Sequence, residues 1–105
     1  MCTYQKWFQA DEDVYVLQCT ECNTFQLRVR NTAFMFDPVE YKNFFEIVSR
    51  LYEKIKSGKN ADPIIIPTFD GGMDLFLKTD QLISLYILLD AADTEMKATK
   101  MASLF

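Results

Sequence analysis

Histidine is absent from this chain of 105 residues, and glycine, proline and cysteine occur three times each. Without histidine no Ser-His or Cys-His nucleophile pair can form, and the commonest general acid-base group is missing. Long apolar runs are missing too: the longest, Leu82 to Leu89, is interrupted by Ser84 and falls far short of the ~20 residues a membrane span needs. No apolar stretch resembling a secretion signal follows the first methionine, so the expected location is cytoplasmic. Basic charge is in deficit, with 11 Lys and Arg against 15 Asp and Glu and a net charge of −4. That field repels phosphate backbones and anionic lipid, so neither nucleic acid nor a membrane is an expected partner. Three cysteines cannot all pair within one chain, which favours a reducing compartment where thiols stay free or hold metal.

What is present is ordinary for a water-soluble globule: 50% hydrophobic, 25% charged and, on the high side, 14% aromatic residues. The length predicts a single domain over residues 1–105 with a modest core and no need of covalent staples. Tyr4 to Gln9 and Val14 to Cys19 read as a hairpin around Ala10-Asp11-Glu12-Asp13, with Phe8 facing Tyr15, Lys6 facing Leu17 and Tyr4 facing Cys19. Thr24 to Arg30 alternates as a half-buried strand. A turn at Asn31-Thr32 then sets Val29 opposite Phe34 and Leu27 opposite Phe36. Asp37-Pro38-Val39-Glu40 combines an N-cap, proline at the first helical position and a carboxylate three residues after the cap. Tyr41, Phe44, Phe45, Val48, Leu51, Tyr52 and Ile55 continue that helix as one apolar stripe, and Gly58 stops it.

After the polar loop Lys59-Asn60-Ala61-Asp62, Pro63 to Phe69 reads as a strand at a sheet edge, because Pro67 has no N–H to donate. A turn at Asp70-Gly71, with Gly72 behind it, brings Ile66 to Leu75 and Ile64 to Leu77. Thr79 is the expected N-cap of a last helix running to about Lys100, with a frayed end near Ser103. Within it Leu82, Ile83, Leu85, Tyr86, Ile87, Leu88 and Leu89 surround the axis, so something must cover the far side. The ordinary cover is the sheet on one side and the other helix or the N-terminal strands on the other; a subunit interface or a ligand groove are the alternatives. The pieces add up to an α+β fold, a mainly antiparallel sheet in the order β-β-β-β-α-β-β-α with two helices packed on one face. Residues 25–57 and 63–100 share a strand-strand-helix layout that reads as a pseudo-repeat.

Cys19-x-x-Cys22 is the one spacing with a chemical meaning, since two thiolates on a tight turn can grip one Zn²⁺. The antiparallel hairpin brings Cys2 beside residue 21, making Cys2, Cys19 and Cys22 the candidate metal ligands. A fourth ligand would come from Glu21, Asp13, water or another subunit. An inert buried thiol pair and a redox-active or disulfide pair are the competing readings. A thioredoxin-like site needs the motif at a helix N-terminus, whereas a strand follows here. Asp70-Gly71-Gly72 lacks the spacing of a phosphate loop, and Asp11, Glu12 and Asp13 read as a solvated turn rather than a cation site. Arg28 and Arg30, beside Gln26, read as a solvated strand face rather than an anion site.

The order of an N-terminal Cys, Cys-x-x-Cys, the strand segment TFQLRVRNTAFMF, the capped helix DPVEYKNFFEIV and a second strand pair with a terminal helix resembles a small bacterial family of uncharacterised proteins, a domain of unknown function. The resemblance implies a small bacterial cytosolic protein and carries no activity and no functional residue. On the residues themselves the first reading is a non-enzymatic protein-interaction or structural domain. A homodimer or a protein partner would meet it through the Leu82–Leu89 helix or the first hairpin. Two other readings stand beside it: a small thiol-redox or metal-dependent enzyme using Cys19 and Cys22, and a ligand-binding domain with a pocket between the last helix and the sheet.

Overall fold

Val16, Leu27 and Phe25 turn to the same side of adjacent strands and are buried, and that face fixes the first sheet. The computed structural model describes residues 3–58, 64–67 and 74–102. Cys2, the 59–62 loop, Pro63, residues 68–73 with the Asp70-Gly71 turn, and Ser103 lie outside the described residues. Four strands, β1 (Tyr4–Asp11), β2 (Val14–Cys19), β3 (Phe25–Val29) and β4 (Thr32–Phe36), form an antiparallel meander in sequence order. Helix α1 (Pro38–Lys56) follows, then a separate two-stranded sheet of β5 (Ile64–Pro67) and β6 (Asp74–Leu77), and helix α2 (Thr79–Ala102). The expected α+β order is thus the observed one. Both helices pack on the buried face of the larger sheet, α2 over β1 and β2, α1 beside β4, and the helices touch each other.

The first hairpin starts in the expected register, with Tyr4 opposite Cys19 and Lys6 opposite Leu17, and then departs from it. Phe8 meets Val16 instead of Tyr15 because the pairing slips between Lys6 and Phe8. A bulge of this kind sets two residues of one strand against one of the other. Trp7 and Phe8, neighbours that a regular strand would point to opposite faces, both pack against the core here. The strand runs on to Asp11, so the turn is Glu12-Asp13 alone.

The β3–β4 register differs by two from expectation: Leu27 faces Phe34 and Phe25 faces Phe36. A slip of two leaves every side chain on its original face, so apolar alternation cannot tell the registers apart. The turn decides. Val29 pairs with Thr32, closing the turn over Arg30-Asn31. Arg30 takes a positive φ of 57°, and its N–H donates to the Asp13 carbonyl at 2.7 Å, tying this turn to the neighbouring one. In β5–β6 the expected pairs, Ile64 with Leu77 and Ile66 with Leu75, are the observed ones.

Helix α1 begins as its sequence dictates. The Glu40 N–H donates to the Asp37 carboxylate at 2.7 Å, and the Asp37 N–H donates to the Glu40 carboxylate at 3.0 Å. It ends with Gly58 at φ 88°, a conformation that only glycine adopts without cost. Asp37→Ala should lower stability by about 1 kcal/mol, read as the midpoint of urea unfolding. An unchanged midpoint would mean that the cap contributes nothing.

Helix α2 already includes Thr79, so the capping position falls on Lys78, whose N–H donates to Gln81 Oε1 at 2.8 Å. The reaching-back arm of a capping box is present one residue earlier than Thr79 as N-cap would place it. Leu82, Leu85, Leu88, Leu89 and Ala92 are buried. Tyr86 stacks on Tyr52 of α1 with ring centroids 4.0 Å apart. Between Leu82 and Leu89 the apolar girth is therefore covered within the chain on two sides; Ile87, 58% exposed, is the exception there.

Candidate functional site

Cys19 ends β2 and is fully buried, while Cys22 lies in the following turn and is exposed. The turn is closed by the Asn23 N–H donating to the Cys19 carbonyl at 3.0 Å and by the Cys19 N–H donating to the Thr24 carbonyl at 2.9 Å, with Asn23 at φ 64°. Inside it the Cys22 N–H donates to Cys19 Sγ at 3.4 Å, and Cys22 Sγ meets Thr24 Oγ1 at 3.3 Å. The N–H and hydroxyl of Thr20 both donate to the Thr3 carbonyl, at 2.8 and 3.0 Å, which holds the start of β1 against this turn. Cys2 itself lies outside the described residues, and among the described residues no three Cys, Asp, Glu or His side chains converge as a metal group. Asp13 is not available as a further ligand. The extended chain from Val14 to Cys19 spans roughly 17 Å at the rise of a strand, and the Asp13 carboxylate instead approaches Arg30 at 3.8 Å. Arg28, likewise, donates from Nε to the Arg30 carbonyl at 3.1 Å on a solvated face.

A second feature is the outer face of the small sheet. Ile64 and Ile66 are buried, so Ile65 between them must point outward. Its cross-strand partner is Phe76, and the two are 51% and 62% exposed. Phe76 and Ile87 of α2 both line a cleft of about 710 Å³ whose floor includes Phe44 and Leu85 and whose rim carries Arg30 and Asp80. Three consecutive isoleucines alternate faces in a strand, but the sequence does not say whether the second face is covered.

A third lies at the other end of the helices, where Trp7, Phe25, Tyr41, Phe45 and Met96 line a cleft of about 690 Å³. Trp7 Nε1 donates to Gln18 Oε1 at 3.0 Å, and Gln18 Nε2 donates to the Asn23 carbonyl at 3.2 Å, fixing the indole to the thiol turn. Tyr41 stacks on Phe25 with centroids 4.0 Å apart. It is 5% exposed, and its buried hydroxyl has no hydrogen-bond partner among the described residues. Burial, with the Asp93 carboxylate adding to it, pushes this phenol well above the ordinary tyrosine range. Asp93 itself holds Lys97 at 2.9 Å, and that hydrogen bond raises the lysine's pKa. The sequence offers a pocket between the last helix and the sheet but does not point to these residues, which come from five separate elements.

No helix among the described residues is long and apolar enough to cross a membrane. A family model described as a family of unknown function (DUF6686) matches residues 1–104. No curated protein and no solved structure matches the chain.

Proposed function

The chain belongs to that family of unknown function, and from its surface we propose that it is a non-enzymatic protein-interaction domain that self-associates through β5–β6 and the exposed edge of α2. The exposed Ile65–Phe76 pair carries this reading. Large apolar side chains set opposite each other on an outward sheet face, with Ile87 at the same cleft as Phe76, lose free energy in water that an apolar partner would restore. A second copy is the occupant the surface favours. Apolar groups on a two-fold axis are self-complementary without opposite charge, and contact through an apolar face brings no further like charges together on a chain of net charge −4. Light scattering of the purified chain at about 200 μM should give twice the chain mass, as expected for a micromolar dimer. A monomer mass at that concentration overturns the reading.

A second reading has its own support in the thiol turn. The Cys22 amide pointing at Cys19 Sγ, and the start of β1 held at Thr20, favour a structural metal site made by Cys2, Cys19 and Cys22, with zinc the best fit to thiolate ligands. Protein expressed with added zinc should retain about one equivalent after gel filtration, and Cys22→Ser should lose it. Metal below about a tenth of an equivalent in the parent protein removes the proposal. A thiol-redox role has less support, because Cys19 is fully buried and the element that follows the pair is a strand, β3, and not a helix.

A further inference from the structure

We propose that the outer edge of β4 is a docking site for an extended segment of another protein, added antiparallel to the sheet, with an apolar residue opposite Met35 and an acidic one opposite Ala33. The inference is independent of self-association, which uses β5–β6 and α2. It starts from the ladder. Val29 and Thr32 close a two-residue turn and so form a hydrogen-bonded pair, and alternation makes Leu27–Phe34 and Phe25–Phe36 bonded pairs too. The N–H and C=O groups of Ala33 and Met35 therefore point away from β3, to the side where the sheet order ends. Both residues are exposed, and among the described residues no backbone hydrogen bond from another element reaches them.

An open edge is ordinarily blunted by charge, proline or a bulge. At the opposite edge β1 has Lys6, Asp11 and two slips in its pairing. β4, Thr-Ala-Phe-Met-Phe, has none of these, and its pairing with β3 is unbroken. An edge left regular and uncharged is a template for one more strand, which sets the backbone conformation of its occupant.

The side chains choose the occupant. Met35, 56% exposed, and Phe34, half-buried, flank the edge on its two faces, so the added strand is apolar opposite both. Ala33 lies between the edge and Arg28, its partner on β3. Arg28 is exposed, and among the described residues no carboxylate pairs with it, Asp13 approaching Arg30 instead at 3.8 Å. A strand added to β4 sits two strand spacings, roughly 10 Å, from β3, and the small side chain of Ala33 leaves room for an arginine and a glutamate to meet across it. A second copy would not supply that charge. The antiparallel self-pairing that satisfies Ala33 and Met35 in both copies sets Phe34 on Phe34 and Ala33 on Met35, which leaves Arg28 without a carboxylate.

The test uses the peptide acetyl-Thr-Val-Val-Glu-Thr-amide, whose first valine pairs with Met35 and whose glutamate pairs with Ala33. Followed by NMR of the protein's amides, it should bind saturably with a Kd of about 1 mM or tighter. Binding should slow hydrogen exchange at Ala33 and Met35, while Phe34, already bonded to β3, changes little. N-methylation of the first valine or of the glutamate removes an N–H that β4 accepts and should weaken binding about tenfold; N-methylation of the second valine, whose N–H points away, should not. Replacing the glutamate by glutamine should weaken binding about threefold, and Arg28→Gln should erase that difference. No saturable change up to about 10 mM peptide, no added protection at Ala33 and Met35, or equal effects of the three N-methylations would each overturn the proposal. An equally tight glutamine peptide would overturn the choice of an acidic segment. Protection of the two amides that rises with protein concentration alone would overturn the proposal in favour of a second copy.

Discussion

Phe44→Ala should destabilise the fold by about 3–5 kcal/mol. Phe44 is 2% exposed and sits where α1 meets the sheet, its ring 5.0 Å from that of Phe36 and 6.3 Å from that of Phe34. Truncation removes the transfer free energy of the ring and leaves a void beside a cleft that the surrounding side chains do not fill. Against a total stability of roughly 5–15 kcal/mol for a domain of this size, the loss would bring the chain close to unfolding at ambient temperature. Urea unfolding followed by far-ultraviolet circular dichroism measures it. A loss below about 1 kcal/mol would mean that the ring stack is not what joins helix to sheet.

Alkali should destabilise this protein through Tyr41, and Tyr41→Phe should abolish that part of the effect. In the unfolded chain the phenol ionises near pH 10, whereas burial holds the folded phenol protonated well beyond that. The unfolded state therefore releases a proton first and gains free energy as pH rises. The stability associated with this group is complete below about pH 10 and is lost as pH climbs toward the folded value. Tyr86 and Lys97 also respond to alkali, so the difference between parent and Tyr41→Phe isolates the one group. At pH 7 the variant should be as stable as the parent or slightly more so, since a buried hydroxyl with no partner among the described residues is gone. At pH 10.5 the parent should have lost more of its urea midpoint than the variant. Equal losses in the two would contradict the burial assigned to this ring.

The parts of the fold that could be read in advance were those where local chemistry and burial agree. Asp37-Pro38-x-Glu40 specified a helix start by hydrogen bonds that its own residues supply, and the structure has both. Ile64, Ile66, Leu75 and Leu77 specified a register because only one pairing sets them face to face around a short turn. Where the structure departed from expectation, two arrangements satisfied the same pattern. The β3–β4 slip of two kept Phe25, Leu27, Phe34 and Phe36 on one face, and a backbone hydrogen bond from Arg30 to the neighbouring turn chose between them. The bulge at Trp7 answers to the tertiary need to bury two adjacent aromatic rings, which no local preference encodes.

Candidate sites were legible to a lesser degree. Cys19 and Cys22 announce themselves by spacing, and the pairing of Tyr4 with Cys19 follows from the hairpin. The residues of the cleft over Trp7 could not be read, because Tyr41 looks like one more stripe residue until its buried hydroxyl is found to have no partner among the described residues. The exposed Ile65–Phe76 pair was hidden for a related reason. Hydropathy marks residues as apolar, and only packing reveals which of them stay in water.

Self-association through that pair is most directly tested by sedimentation equilibrium of the parent chain and Phe76→Glu over a hundredfold range of concentration. Phe76 is largely exposed, so the charge should leave the fold intact. The parent should move from monomer to twice the monomer mass as concentration rises, while the variant should stay monomeric throughout. Identical mass curves for the two proteins would contradict the assignment of this face as the interface.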